Sequence, residues 1–214
     1  VEGANLSQRI YQSAGNINDI VKSEVGRALN KTQGWQSAAS QLQREVKITG
    51  DTPKYIRQLK AISTKDVSPA AQAKIQSALR QAEREVRKLS LNEAPTKRLK
   101  ASYESLIEAV KGGKQSAIDK AVDRAINEKS YYNAQRLVRT ETAKAYGDSF
   151  FDKILRDDDV VGYQSVLSPR HPVPDICDFY ATSDLYGMGK GIFPKSQGAP
   201  YPYHPNCLCI LKPV

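Results

Sequence analysis

All three cysteines of the chain, Cys177, Cys207 and Cys209, and both histidines, His171 and His204, fall within the last 44 of its 214 residues. Random placement gathers five such residues that tightly roughly a few times in ten thousand, so the grouping points to shared chemistry. Thiolate and imidazole are the donors of a structural zinc site, and four of them close a tetrahedron. In His204-Pro205-Asn206-Cys207 the H-x-x-C spacing lets a tight turn aim both side chains at one ion. In Cys207-Leu208-Cys209 two thiols share a face when the segment is extended. Cys177 comes from about thirty residues upstream, so ligation would tie the start of a loop to its end and stabilise it by a few kcal/mol. Any four of Cys177, His204, Cys207, Cys209 and His171 would serve. A second account stays open: buried apolar cysteines beside histidines that hydrogen-bond loop carbonyls, or a reversible disulfide through Cys177. Three cysteines cannot all pair within one chain, which argues against a secreted disulfide framework and for a reducing cytosol during assembly.

The elements that must hold these side chains are sparse. Eight of the 11 prolines lie between Pro169 and Pro213, with glycines at 187, 189, 191 and 198. So loop-rich a segment rarely coheres by apolar burial alone, and a cross-link is needed. Val160 to Leu167 reads as a strand, and Cys207 to Leu211 as a final short one. Gly187-Met188-Gly189-Lys190-Gly191 lacks the flanking strand, helix and Lys-Ser/Thr pair of a phosphate loop and reads as a flexible turn. Asp175, Asp178 and Asp184 sit in loop sequence, where capping a turn is at least as good an account as holding a hard cation.

Upstream the pattern is helical. Ser68-Pro69 pairs an N-cap with proline at the first helical position. Ile75, Leu79, Ala82, Val86 and Leu89 then form one stripe, with Lys74, Arg80, Arg84 and Lys88 opposite. Asn92-Glu93-Ala94-Pro95 breaks the pattern. A second stripe, Leu99, Tyr103, Leu106, Ile107 and Val110, stops at Gly112-Gly113. Ile118, Ala121, Val122, Ala125 and Ile126 make a third run, and from Ser130 the texture changes to one long helix over 131–155, ended by Asp157-Asp158-Asp159. Earlier, Ile10, Ile17, Ile20, Val21 and Leu29 suggest one or two helices, Trp35 opens another, and Asp51-Thr52-Pro53 begins a short one through Leu59 and Ile62. The fold class expected is mostly α: a basic multi-helix region over 1–130, then a small, loop-rich α+β domain over 131–214 stapled by Cys and His.

Charge follows the same division. Residues 156–214 hold 5 Lys+Arg and 6 Asp+Glu, which leaves 27 basic and 17 acidic groups, a net of +10, for residues 1–155. Such a balance favours phosphate backbones or acidic protein surfaces, although a basic solvated helical face accounts for it equally well. Aromatic content is 7%, which suits helices with modest cores better than a β-sandwich. No apolar run reaches the about 18 residues a membrane span needs. The chain opens on Val1 and its only methionine is Met188, so the expectation is a fragment, a processed form or the ordered part of something longer.

Arg139-Thr140-Glu141 on a helix, a following strand, Asp175-Ile176-Cys177-Asp178, Gly187 and the closing His204-Pro205-Asn206-Cys207-Leu208-Cys209 resemble the phage Mu F-like minor head protein family. The matching stretch runs from about Tyr131 to Cys209. The chain departs from the commonest pattern at Tyr180, where a second cysteine is usual, and at Leu208, where an arginine is. The resemblance implies a structural head morphogenesis protein of a tailed phage or prophage. It would be a minor capsid component, not an enzyme, present in several copies inside the virion near the portal vertex. Its implied partners are the portal protein, other head proteins and double-stranded DNA. Arg139 and Glu141 are two apart and cannot face each other on a helix. The expectation is that they anchor the helix to the tail, with ordinary surface charge as the alternative. Two other functions compete: a small metal-dependent nuclease or hydrolase with His171 or His204 as base, and a plain DNA-binding protein. No H-E-x-x-H or nucleophile elbow supports the first.

Overall fold

The computed structural model describes residues 17–29, 34–46, 53–61, 68–89, 97–169, 171, 174–197 and 200–214. Ile10, Ile62 and the break at Asn92-to-Pro95 lie outside the described residues. The rest form seven helices and three strands: α1 (Ile17–Leu29), α2 (Trp35–Val46), α3 (Lys54–Ala61), α4 (Pro69–Leu89), α5 (Lys97–Lys111), α6 (Gln115–Leu155), β1 (Gly162–Val166), α7 (Ile176–Thr182), β2 (Ile192–Pro194) and β3 (Ile210–Pro213). The fold is mostly α with a small α+β part near the carboxy terminus, as the sequence predicts; its three-stranded antiparallel sheet includes a strand, β2, that the sequence reading did not give. Two compact units divide the described residues: one spans 40–135, the other combines 17–39 with 136–214.

In the 40–135 unit, α4 starts where Ser68 accepts a hydrogen bond from Ala71 N at 3.3 Å. Ala71, Ala78, Ala82 and Leu89 bury one face of α4; Lys74, Arg80, Arg84 and Lys88 are all exposed, but only Arg80 and Arg84 lie opposite that face, since Lys74, four residues before Ala78, stands at its edge. The buried face packs with Ile56 and Leu59 of α3, Leu99, Tyr103 and Leu106 of α5, and Val122 and Ala125 of α6. Tyr103 meets Tyr55 edge to face at 6.4 Å. Losing the cap through Ser68→Ala should lower the stability of this unit by about 1 kcal/mol, read as a lower denaturation midpoint with unchanged slope.

The two helical segments read from the sequence on either side of Ser130 are one 41-residue helix, α6, about 60 Å long. Its stretch contains no proline and a single glycine, Gly147, so nothing in the backbone interrupts it. The change in texture marks burial instead. Ser130, Asn133, Ala134, Gln135, Leu137 and Val138 are all buried, spanning about 200° of the helix circumference.

The 136–214 tail is organised on β1. The sheet order is β2-β1-β3, with Tyr163 opposite both Phe193 and Pro213 and Ser165 opposite Leu211. Tyr163 is fully buried. Its ring stacks on Phe193 at 5.3 Å and meets Phe151 edge to face at 5.1 Å. Ile154 and Leu211 complete this small core. The last strand begins at Ile210 rather than at Cys207. The segment 171–191 also holds a helix, α7, and an ordered turn that loop-like composition conceals. Across that turn Gly191 donates to Ser183 O at 2.9 Å and accepts from Ser165 N at 2.8 Å.

Candidate metal centre

The site is assembled from three short pieces of the tail. The first is the start of α7. Asp175 is its N-cap and accepts from Cys177 N at 2.7 Å, while Asp178 reaches back to accept from Asp175 N at 2.7 Å. This reciprocal box satisfies two otherwise orphaned amides and fixes Cys177 in the first turn. Of the two roles the sequence leaves open for Asp175 and Asp178, capping is therefore occupied. Asp184 also caps, accepting from Gly189 N at 3.2 Å.

The second piece is the H-x-x-C turn. Cys207 N donates to His204 O at 3.2 Å, and Asn206 takes the left-handed conformation with φ 73°. Asparagine tolerates that region better than most side chains do. Asn206 N donates to Thr140 Oγ1 at 2.9 Å, and Thr140 donates in turn to Arg136 O at 2.7 Å. Thr140, within the Arg139-Thr140-Glu141 triplet, thus holds the turn against α6. Arg139 and Glu141 flank it, half-buried. The third piece is the entry to β3, where Cys209 O accepts from Tyr201 OH at 3.0 Å.

These pieces bring the three cysteines together. All are buried and none is in a disulfide. Their sulfurs lie within 4.8 Å of one another, with Cys177 and Cys207 3.6 Å apart. A zinc ion about 2.3 Å from each sulfur sets tetrahedral S···S edges of about 3.8 Å, so this cluster could bind a metal. No family model, curated protein or solved structure matches the chain.

The two histidines take different places around the cluster. His204 Nε2 lies 3.0 Å from Cys177 Sγ and 3.3 Å from Asp175 Oδ2, while its Nδ1 faces Pro205 O at 2.9 Å. With the Nδ1 proton on that carbonyl, a cation that displaced the proton of Nε2 would find its lone pair on the sulfur side, the arrangement usual behind a metal-bound imidazole. His171 Nε2 sits 2.8 Å from Asp178 Oδ2 and 3.8 Å from Asp175 Oδ1. It completes a second grouping with Asp175 and Cys177. The Asp175 amide and His171 together hold the Asp178 carboxyl below its ordinary range.

Three thiols this close cannot ionise independently. Hydrogen bonds from Cys177, Cys209 and His204 stabilise the Cys207 thiolate and pull its pKa far down. The same hydrogen bond to Cys207, then that to Cys209 and burial, push Cys177 far up. Cys209 rises to about 12: its hydrogen bond with Cys177 opposes the rise, and the hydrogen bond to Cys207, burial and the Cys207 charge outweigh it. His204 is raised to about 9, first by its hydrogen bond to Cys207, against burial and with help from Pro205 O. In short, one negative sulfur is shared among protons held by its neighbours, a role that a cation fills better.

Tyr180 stands where a C-x-x-C pair would put its second thiol. It stacks on Tyr203 with ring centroids 4.4 Å apart, and Tyr203, Tyr201 and Leu167 cover the sulfurs. Sequence reasoning missed Thr140, Tyr201 and Tyr203. A threonine between two charged residues and tyrosines in a proline-rich loop carry no spacing signal of their own. Replacing Thr140 with Val would leave the half-buried Asn206 amide without this partner, so the tail should lose about 1 kcal/mol. That loss would appear as faster proteolysis between 156 and 214, with the 40–135 unit unaffected.

Proposed function

We propose that this chain is a structural, non-enzymatic minor head protein of a tailed phage or prophage, and that a zinc ion held by Cys177, His204, Cys207 and Cys209 staples its tail. The observation that carries this reading is the donor set. Three buried thiols and an imidazole converge from two ends of a loop, and four protein donors leave a zinc ion no position for substrate or water. Loading the ion needs the His204–Cys177 approach to open by about half an ångström, to the about 3.5 Å of a tetrahedral N···S edge. The order of motifs from Arg139-Thr140-Glu141 to Cys209 adds the family resemblance, which supplies the portal vertex as the location and the portal protein as partner.

The basic helical unit supplies the second half of the proposal. Arg80 and Arg84 lie on the solvent face of α4 opposite Ala78, Ala82 and Leu89, suited to the phosphates of double-stranded DNA. Each phosphate contact contributes about 0.9 to the salt slope of the affinity. The double change Arg80→Glu/Arg84→Glu should therefore weaken duplex binding regardless of sequence and flatten that slope by about 2.

Co-expression with the portal protein encoded in the same genome tests the assignment. Co-purification is expected, and incubation with DNA and magnesium, manganese or zinc should leave the DNA intact. Cleavage that disappears in His204→Ala would instead make the chain a nuclease.

A further inference from the structure

Among the described residues, the sulfurs are approached by donors from one side. Cys177, Cys207 and Cys209 are all buried, and Leu167, Tyr201 and Tyr203 pack against them as a largely apolar wall. Elsewhere a line of donors runs from the surface inward. Asp175 and His204 keep 33% and 29% of their side chains exposed, and His171 keeps 12%. Asp175 Oδ1 lies 3.8 Å from His171 Nε2, and Asp175 Oδ2 lies 3.3 Å from His204 Nε2. His204 Nε2 is itself 3.0 Å from Cys177 Sγ. One carboxylate therefore stands between two histidines, and the zinc staple uses only one of them.

His171, Asp175 and Cys177 bring three ligand atoms within 4.8 Å of one another, and this set overlaps the three-sulfur set at Cys177 alone. It is looser than a closed zinc site, whose tetrahedral edges measure about 3.3 Å from nitrogen to oxygen and about 3.5 Å to sulfur. Asp175 Oδ1 already accepts from Cys177 N at 2.7 Å, and His171 Nε2 lies 2.8 Å from Asp178 Oδ2. A cation here would take Asp175 Oδ2 and draw His171 off Asp178, so these bonds compete with it and keep its stay brief. Three protein donors also leave a fourth position for water or an arriving ligand. A loose, open set beside a tight, closed one, joined by a sulfur whose lone pairs can face two ions, suits ligand exchange. We infer that His171, Asp175 and Cys177 form a transfer site, where a second zinc ion binds while the first still occupies the staple and through which the two exchange. The inference rests on the zinc staple proposed above and supplies the entry path that such a site needs. One zinc enters and one leaves, with Cys177 a thiolate throughout, so neither charge nor protonation changes.

The test mixes the whole zinc-loaded protein with isotopically enriched zinc and follows the label into the folded chain by native mass spectrometry. The exchange rate is expected to rise in proportion to free zinc, because the second ion binds before the first leaves. Exchange by opening of the tail would instead run at a rate that ignores the zinc concentration. His171→Ala and Asp175→Asn should each slow exchange at least about tenfold at equal zinc, with one zinc still bound per chain. Asparagine serves as an N-cap as well as aspartate does, so the start of α7 survives the second change. A variant that merely loosened the tail would exchange faster, the opposite sign. The inference is overturned by a wild-type rate independent of zinc, or by either variant exchanging as fast as wild type or faster. Wild-type protein holding less than about half an equivalent of zinc would overturn the staple and this inference together. Full zinc content with either of the overturning rates would strike the transfer site alone.

Discussion

Stripping metal from the purified protein with a strong chelator at neutral pH should unfold the tail while the helices of the 40–135 unit keep their far-ultraviolet signal. The physical reason is the size of the core that would remain. Ile154, Tyr163, Phe193 and Leu211 are its fully buried members, and the rest of the tail is loop and short elements. Zinc contributes about 10–16 kcal/mol of apparent binding free energy in small metal-folded domains, which here would offset the ordering of the loops. Without it, three buried thiols and one shared negative charge remain in an apolar pocket under Tyr201 and Tyr203. The near-ultraviolet signal of the tyrosines packed around the site should collapse, and zinc alone should restore it. Cys207→Ser should reproduce the chelated state, with a loss of at least about 3 kcal/mol. His171→Ala should not, because the contacts of His171 run to Asp178 and Asp175. A chelated protein with unchanged near-ultraviolet signal would contradict the staple.

The second large effect is expected from a residue with no side chain. Gly191 has φ 70°, and a Cβ there would stand 2.7 Å from Ala181 O and 2.9 Å from Ser165 O. Both obstacles are backbone carbonyls, the second from a residue of the central strand, so neither can rotate away. Gly191→Ala should therefore destabilise the tail by about 3 kcal/mol or more, combining left-handed strain with a clash that shifts β1 against α7. Gly187 is the internal comparison. Its φ is 68° but nothing lies within 4 Å of a Cβ, so Gly187→Ala should cost only the about 1–2 kcal/mol of the backbone conformation. Equal losses in the two variants would show that the close packing at Gly191 does not bear on stability.

The helical architecture was legible because its signals are local. Ser68-Pro69 supplies a cap and a fixed φ, and Arg80 and Arg84 of α4 lie opposite its small buried residues, where a 3.6-residue period puts them. The two sides of Ser130 look different because burial changes along α6, while continuity of a helix depends only on the absence of breakers. The tail was legible in its ligands and obscure in its scaffold. Cysteine and histidine betray themselves by rarity and spacing. By contrast, α7 is seven residues long, and its start is specified by Asp175 and Asp178, which serve equally well in turns. Thr140 is harder still, because its partner Asn206 lies 66 residues away and only the folded tail brings them together.

X-ray absorption spectroscopy at the zinc edge, on protein purified without a histidine tag, tests the central claim most directly. One zinc per chain with a first shell of three sulfurs and one nitrogen is the expected result. Metal below about half an equivalent, or an oxygen in place of one protein donor, would contradict a closed site that serves architecture alone.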